Sequence, residues 1–152
     1  METEHTDANL LELSANIDDM SPELCAPVLD QLLAAGAKDA WFQPILMKKG
    51  RPALMLKCLL PAKLLETIEG IVFNETSSMG LRYHAVTGHR LEKSLVTVAT
   101  PWGEVQVKIA KHQGKTTQVS PEFEDCKQLA EQAQVPLKLV FEAARRAADS
   151  LK

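Results

Sequence analysis

Apolar side chains at Leu10, Leu11, Leu13, Ala15 and Ile17 mark Leu10–Ile17 as a β-strand. Ser21 and Pro22 then read as a helix start, a capping hydroxyl followed by a residue whose missing N–H costs nothing there. Leu24, Val28, Leu29, Leu32 and Leu33 recur at helical spacing, and Gly36 is the natural stop. Pro27 falls inside this helix, where it predicts a lost backbone bond and a bend. A second strand spans Ala40–Met47, with Pro44 pointing to an edge or a bulge, and a third spans Ala53–Leu60. From Pro61, the residues Leu64, Leu65, Ile68, Ile71 and Val72 form one face of a helix, and Leu81–Val86 returns as a strand.

Strand, helix, strand, strand, helix, strand is the order of a ferredoxin-like βαββαβ sandwich in the α+β class. Beyond it, Leu95–Ala99 and Val105–Ile109 alternate around Thr100-Pro101-Trp102-Gly103 and predict a β-hairpin, with Trp102 packing locally at its turn. Gln118 and Val119 add at most a short strand. Phe123, Cys126, Leu129, Ala130 and Ala133 mark one helix after Ser120-Pro121-Glu122. Leu137, Val140, Phe141, Ala144, Ala148 and Leu151 mark a last helix opened by Pro136. With no low-complexity linker, residues 9–152 read as a single domain with a C-terminal extension, after a disordered lead-in over 1–8.

Bulk properties narrow the class. A chain of 152 residues, 45% hydrophobic and 24% charged, is long enough to bury a core. No apolar run approaches the ~18 residues of a membrane span. Met1–Asp7 is acidic and polar, without the basic start and apolar stretch of a secretory signal. A net charge of −3 and an aromatic content of 5% argue against nucleic acid as a partner. Three scattered cysteines, Cys25, Cys58 and Cys126, fit reduced thiols in the cytoplasm, not a disulfide frame or a zinc knuckle.

No nucleotide-binding glycine loop, zincin motif or nucleophile elbow occurs. His5, His84, His89 and His112 lack the spacing of a shared metal site, although His84 and His89 could flank a strand turn. Asp18 and Asp19 stand between a strand end and a helix start. They can cap that helix, or hold a hard divalent cation against a phosphorylated ligand. Lys48-Lys49-Gly50-Arg51 can neutralise polyphosphate through point charges, a guanidinium fork and free backbone N–H groups, or be solvated turn charges. Glu75–Arg82, with two serines, a threonine, a glycine and Arg82, can form an anion loop or an ordinary turn. Glu122, Glu124 and Asp125 crowd a helix start, where the macrodipole already favours acids. Alternatively they face the same site as Asp18, directly or across a subunit boundary.

Taken together, Asn16-Ile17-Asp18-Asp19-Met20-Ser21-Pro22-Glu23, the turn Met47–Pro52, the loop Asn74–Arg82 and the block Val119–Cys126 resemble the C-terminal domain of LarC-type nickel-insertion proteins. The blocks stand in that family's order from about Asn9 onward. The resemblance implies a CTP-dependent nickel insertase, a lyase of the metal chelatase type. It would insert nickel, as substrate ion, into pyridinium-3,5-bisthiocarboxylic acid mononucleotide, making the nickel-pincer nucleotide cofactor of lactate racemase. It further implies CTP with Mn2+ or Mg2+, an N-terminal domain as partner, and homo-oligomers in the form of hexamers. On this resemblance Lys48, Lys49, Arg51 and Arg82 bind the nucleotide, and Asp18, Asp19, Glu122, Glu124 and Asp125 bind the metal; no catalytic residue is assigned. The competing reading is a ferredoxin-like regulatory or assembly module that binds a small anion without turnover.

Overall fold

The computed structural model describes residues 3–149, which fall into two compact units. One is Asp7–Gly88; the other joins residues 3–6 to 89–149. The hydrophobic pattern hides this division behind its single domain over 9–152, because no polar linker separates the units. Instead the boundary falls inside strands β1 (His5–Ile17) and β4 (Arg82–Arg90).

The first unit continues through α1 (Cys25–Ala34), β2 (Asp39–Met47), β3 (Arg51–Pro61) and α2 (Leu65–Glu75). Its sheet has the order β2-β3-β1-β4, which is the expected ferredoxin-like arrangement. Pro44 lies on β2, an edge strand, where a missing N–H is tolerated. Leu13, Ala15 and Ile17 of β1 and Leu56, Cys58 and Leu60 of β3 pack against Val28 and Leu32 of α1 and Ile68 and Val72 of α2. Burying each large side chain contributes about 1.5–3 kcal/mol. This core, not surface charge, holds the unit together.

Three expectations are corrected. β1 starts at His5, so residues 5–8 of the supposed lead-in are strand; ladder bonding needs backbone groups, not apolar side chains. Met1 and Glu2 lie outside the described residues. Ser21 is extended before a short 3-10 turn, Pro22–Leu24, but makes no side-chain cap bond. Because α1 starts only at Cys25, Pro27 sits in its first turn, where N–H groups have no intrahelical partner, and no bond is lost. Gly36 does end the helix: its φ is 101°, and a Cβ there would lie 3.0 Å from Leu64 Cδ1.

The second unit has the sheet order β5-β6-β7, with β5 Glu92–Thr100, β6 Gly103–His112 and β7 Lys115–Pro121. The expected hairpin is its first pair, and β7 is longer than the short strand expected at Gln118 and Val119. α3 (Phe123–Ala133) and α4 (Leu137–Asp149) bury Cys126, Ala130, Val140, Ala144 and Ala148 against Val98, Val105 and Val107. Trp102 packs on this core beside the β5–β6 turn, as expected. Leu151 lies outside the described residues.

Candidate functional site

β1 frames the site. Side chains alternate across a strand, so burial of Leu13, Ala15 and Ile17 against the helices turns Glu12, Ser14 and Asn16 to the opposite face. Register places Lys57 beside Ser14 and Met55 beside Asn16 on β3, with Gln43 beyond Met55 on β2. β4 contributes Arg82 and His84. A groove of about 440 Å3 runs over this face between Glu12, Ser14, Gln43, Lys57, Arg82 and His84. Of these only Arg82 is expected from the sequence to bind a ligand; His84 lacks the spacing of a shared metal site. Polar residues at every second position, Glu12, Ser14, Asn16, were the available signal.

The end of β1 gathers further charges. Asp18 Oδ2 accepts a hydrogen bond from Arg51 Nη1 at 3.1 Å, joining the strand end to the β2–β3 turn. Asp19 accepts one from the Ser77 hydroxyl, on the loop between α2 and β4. Arg82 Nη2 donates to Asn16 Oδ1 at 3.1 Å and lies 3.6 Å from Met55 Sδ. Four of the expected site residues, Asp18, Asp19, Arg51 and Arg82, are thus engaged within two positions of the strand end. Lys48 and Lys49 occupy the exposed turn and make no ion pair among the described residues. Lys49 has φ 65° and Gly50 φ 69°, so a lysine holds a left-handed conformation that favours glycine.

Loop Glu75–Arg82 spends most of its hydroxyls on its own turn. Thr76 Oγ1 donates to Val72 O at 2.7 Å and accepts from the Ser78 N–H at 3.1 Å, while Ser78 Oγ donates to Gly80 O at 2.7 Å. Only Ser77 reaches out, to Asp19.

The other acidic candidates belong to the second unit. Asp125 Oδ2 accepts the Gln106 N–H at 2.9 Å, the Glu122 N–H donates to Gln106 O at 2.8 Å, and Lys108 pairs with the Glu122 carboxylate. Glu122 and Asp125 therefore fasten the start of α3 to β6. Glu124 stands in the first turn of α3, exposed. Among the described residues, no three His, Cys, Asp or Glu side chains are arranged to hold a metal ion by themselves.

Histidine placement differs from the sequence pattern. His84 and His89 share strand β4 and do not flank a turn. His89 Nε2 and His112 Nδ1 meet Glu4 Oε1 at 3.0 and 2.7 Å, and Glu4 Oε2 accepts the Gln113 N–H at 2.8 Å. That N–H and His112 hold the Glu4 carboxyl below its usual value. Residues so far apart along the chain leave no local signal of this cluster. Burial pushes the Cys58 thiol up to about 11 and raises that of Cys126 as well.

A sequence profile described as nickel insertion protein matches residues 1–141. The chain belongs to the nickel insertion protein family. A pyridinium-3,5-bisthiocarboxylic acid mononucleotide nickel insertion protein of Desulfitobacterium hafniense (strain Y51) is 41% identical over 141 residues, covering 93% of this chain and 35% of its own length. One of the same description from Lactiplantibacillus plantarum (strain ATCC BAA-793 / NCIMB 8826 / WCFS1) is 40% identical over 142 residues, covering 93% and 34%. The apo structure of LarC2, the C-terminal domain of a cyclometallase involved in synthesis of the NPN cofactor of lactate racemase, superposes with a TM-score of 0.87 at 39% identity. It covers 97% of this chain and 99% of that one. The chain spans about a third of the length of the curated relatives it matches. No helix among the described residues is long and apolar enough to cross a membrane.

Proposed function

We propose that this chain is the CTP- and divalent-metal-binding part of an enzyme that inserts nickel into pyridinium-3,5-bisthiocarboxylic acid mononucleotide. In this reading it works in the cytoplasm with an N-terminal domain, as a homo-oligomer that the resemblance makes a hexamer. The single observation that carries it is the Arg51–Asp18 contact, which brings the cationic β2–β3 turn to the acidic end of β1.

The donor chemistry fits. Two neighbouring exposed carboxylates suit a hard cation that takes the rest of its oxygen ligands from phosphate and water. Mg2+ or Mn2+ bound there would neutralise charge on the phosphate oxygens. Arg51 now satisfies Asp18. With ligand present, its guanidinium fork turns to a phosphate and frees the Asp18 carboxylate for the cation. Lys48 and Lys49 add positive charge, and the left-handed turn presents backbone N–H groups to an anion. Arg82 lines the groove instead, beside Asn16. Glu122 and Asp125 keep their structural partners in the second unit.

Calorimetric titration with CTP, ATP, GTP and UTP, each with and without Mn2+, tests the proposal. Saturable binding of CTP that needs Mn2+ is the expected result; a flat response to every nucleotide contradicts it. Binding of CTP with no product from prolonged incubation of the enzyme carrying its N-terminal domain favours the non-catalytic module.

A further inference from the structure

Ser14 is 5% exposed, borders the groove on the face opposite the helices, and makes no side-chain hydrogen bond among the described residues. A nearly buried hydroxyl opening into a polar hollow, with no protein partner, has one bond to offer a ligand. Arg82, on the same groove, has only neutral partners, the Asn16 amide oxygen and the Met55 sulfur, so its charge is uncompensated by any carboxylate there. Glu12 is paired with Lys57, both side chains only 23% exposed. The groove thus presents cation, anion and cation in Arg82, Glu12 and Lys57. Its volume of about 440 Å3 lies in the usual range for small-molecule sites.

We propose that this groove binds a pyridinium ring bearing two acid arms, the substrate class of the nickel-insertion reading on which the inference rests. Charge order supplies the match. Such a ring is positive at its centre and negative on arms at positions 3 and 5. Glu12 faces the ring cation, Arg82 and Lys57 each take one arm, and the Ser14 hydroxyl donates to an arm oxygen or sulfur. A nucleoside triphosphate, with its metal, is served by the cationic turn at the end of β1.

The test is calorimetry with pyridinium-3,5-biscarboxylic acid mononucleotide, the all-oxygen analogue of that substrate, before and after saturation with CTP and Mn2+. Wild type binds the analogue in both conditions. Ser14→Ala weakens it about fivefold with CTP affinity and melting temperature unchanged, and Arg82→Gln weakens it at least tenfold with melting temperature unchanged; Arg82→Lys recovers part of the loss. CTP binding without any analogue binding overturns the groove assignment and leaves the nucleotide reading standing. Analogue binding without CTP binding does the reverse. If CTP displaces the analogue completely and Ser14→Ala weakens CTP, the groove is the nucleotide's own and the inference fails.

Discussion

Arg51 Nη1 stands 3.1 Å from Asp18 Oδ2, across 33 residues of chain, with the two side chains 58% and 26% exposed. An ion pair so wetted contributes about 0–1 kcal/mol. Its importance is therefore positional: it brings an acidic strand end to a basic turn. Asp18→Asn should change the unfolding free energy by under ~1 kcal/mol, a shift of a few degrees at most in melting temperature. A collapse of stability on thermal denaturation would show that Asp18 serves the fold instead.

Lys49 holds φ 65° and ψ 18° in the β2–β3 turn. A side chain in that conformation costs about 1–2 kcal/mol, partly offset by the ~0.5–1 kcal/mol entropic cost of putting glycine there. Lys49→Gly should thus stabilise the chain by roughly 0.5–1 kcal/mol while weakening Mn2+-CTP binding several-fold. Urea unfolding and calorimetry on the same variant read the two effects separately. Equal CTP affinity would leave the lysine without a ligand role.

Glu4 links His89, His112 and the Gln113 N–H, and its folded carboxyl is held below the ordinary value of 4.5. A depressed folded value means that the ionised carboxylate favours the folded state. That contribution is complete above pH 4.5 and disappears as pH falls from there through the lower folded value. The difference in urea midpoint between wild type and Glu4→Gln should be present above pH 4.5 and shrink as pH falls below it. A difference that grows as pH falls below 4.5 contradicts the assignment.

Cys58 is fully buried with its thiol raised to about 11, and Cys126 is also buried, whereas Cys25 is partly exposed. Only the thiolate attacks a disulfide reagent, so Cys58 presents about one reactive molecule in a thousand at pH 8. Ellman's reagent should label Cys25 alone in the native chain and all three thiols in guanidinium. Rapid native labelling of Cys58 would mean that the core of the first unit opens readily.

The sequence made the helices and the inner strands legible, because their burial is one-sided. Leu13, Ala15 and Ile17, and then Val28, Leu32, Ile68 and Val72, carry the periods that predict the ferredoxin-like order. Strand segments with few apolar residues were not legible. His5–Asn9 has only Ala8 as an apolar residue, and β7 offers only Val119 and Pro121 to the hydrophobic pattern, too little to mark either strand's full length. Among the site residues, Asp18, Arg51 and Arg82 stood out by charge. Ser14 and Lys57 did not, since a serine and a lysine mean little until strand register sets them side by side. The Glu4 cluster depends on tertiary contact over more than a hundred residues.

In the proposed function, the end of β1 and the β2–β3 turn together hold a metal-bound triphosphate. Titrating Mn2+ and following the electron paramagnetic resonance signal of the free ion, with and without CTP, tests it most directly. Wild type should take up Mn2+ tightly only when CTP is present, and the Asp18→Asn/Asp19→Asn double variant should lose at least tenfold in that affinity with its melting temperature nearly unchanged. Uptake of Mn2+ that is indifferent to CTP, or equal in the double variant, would contradict the account.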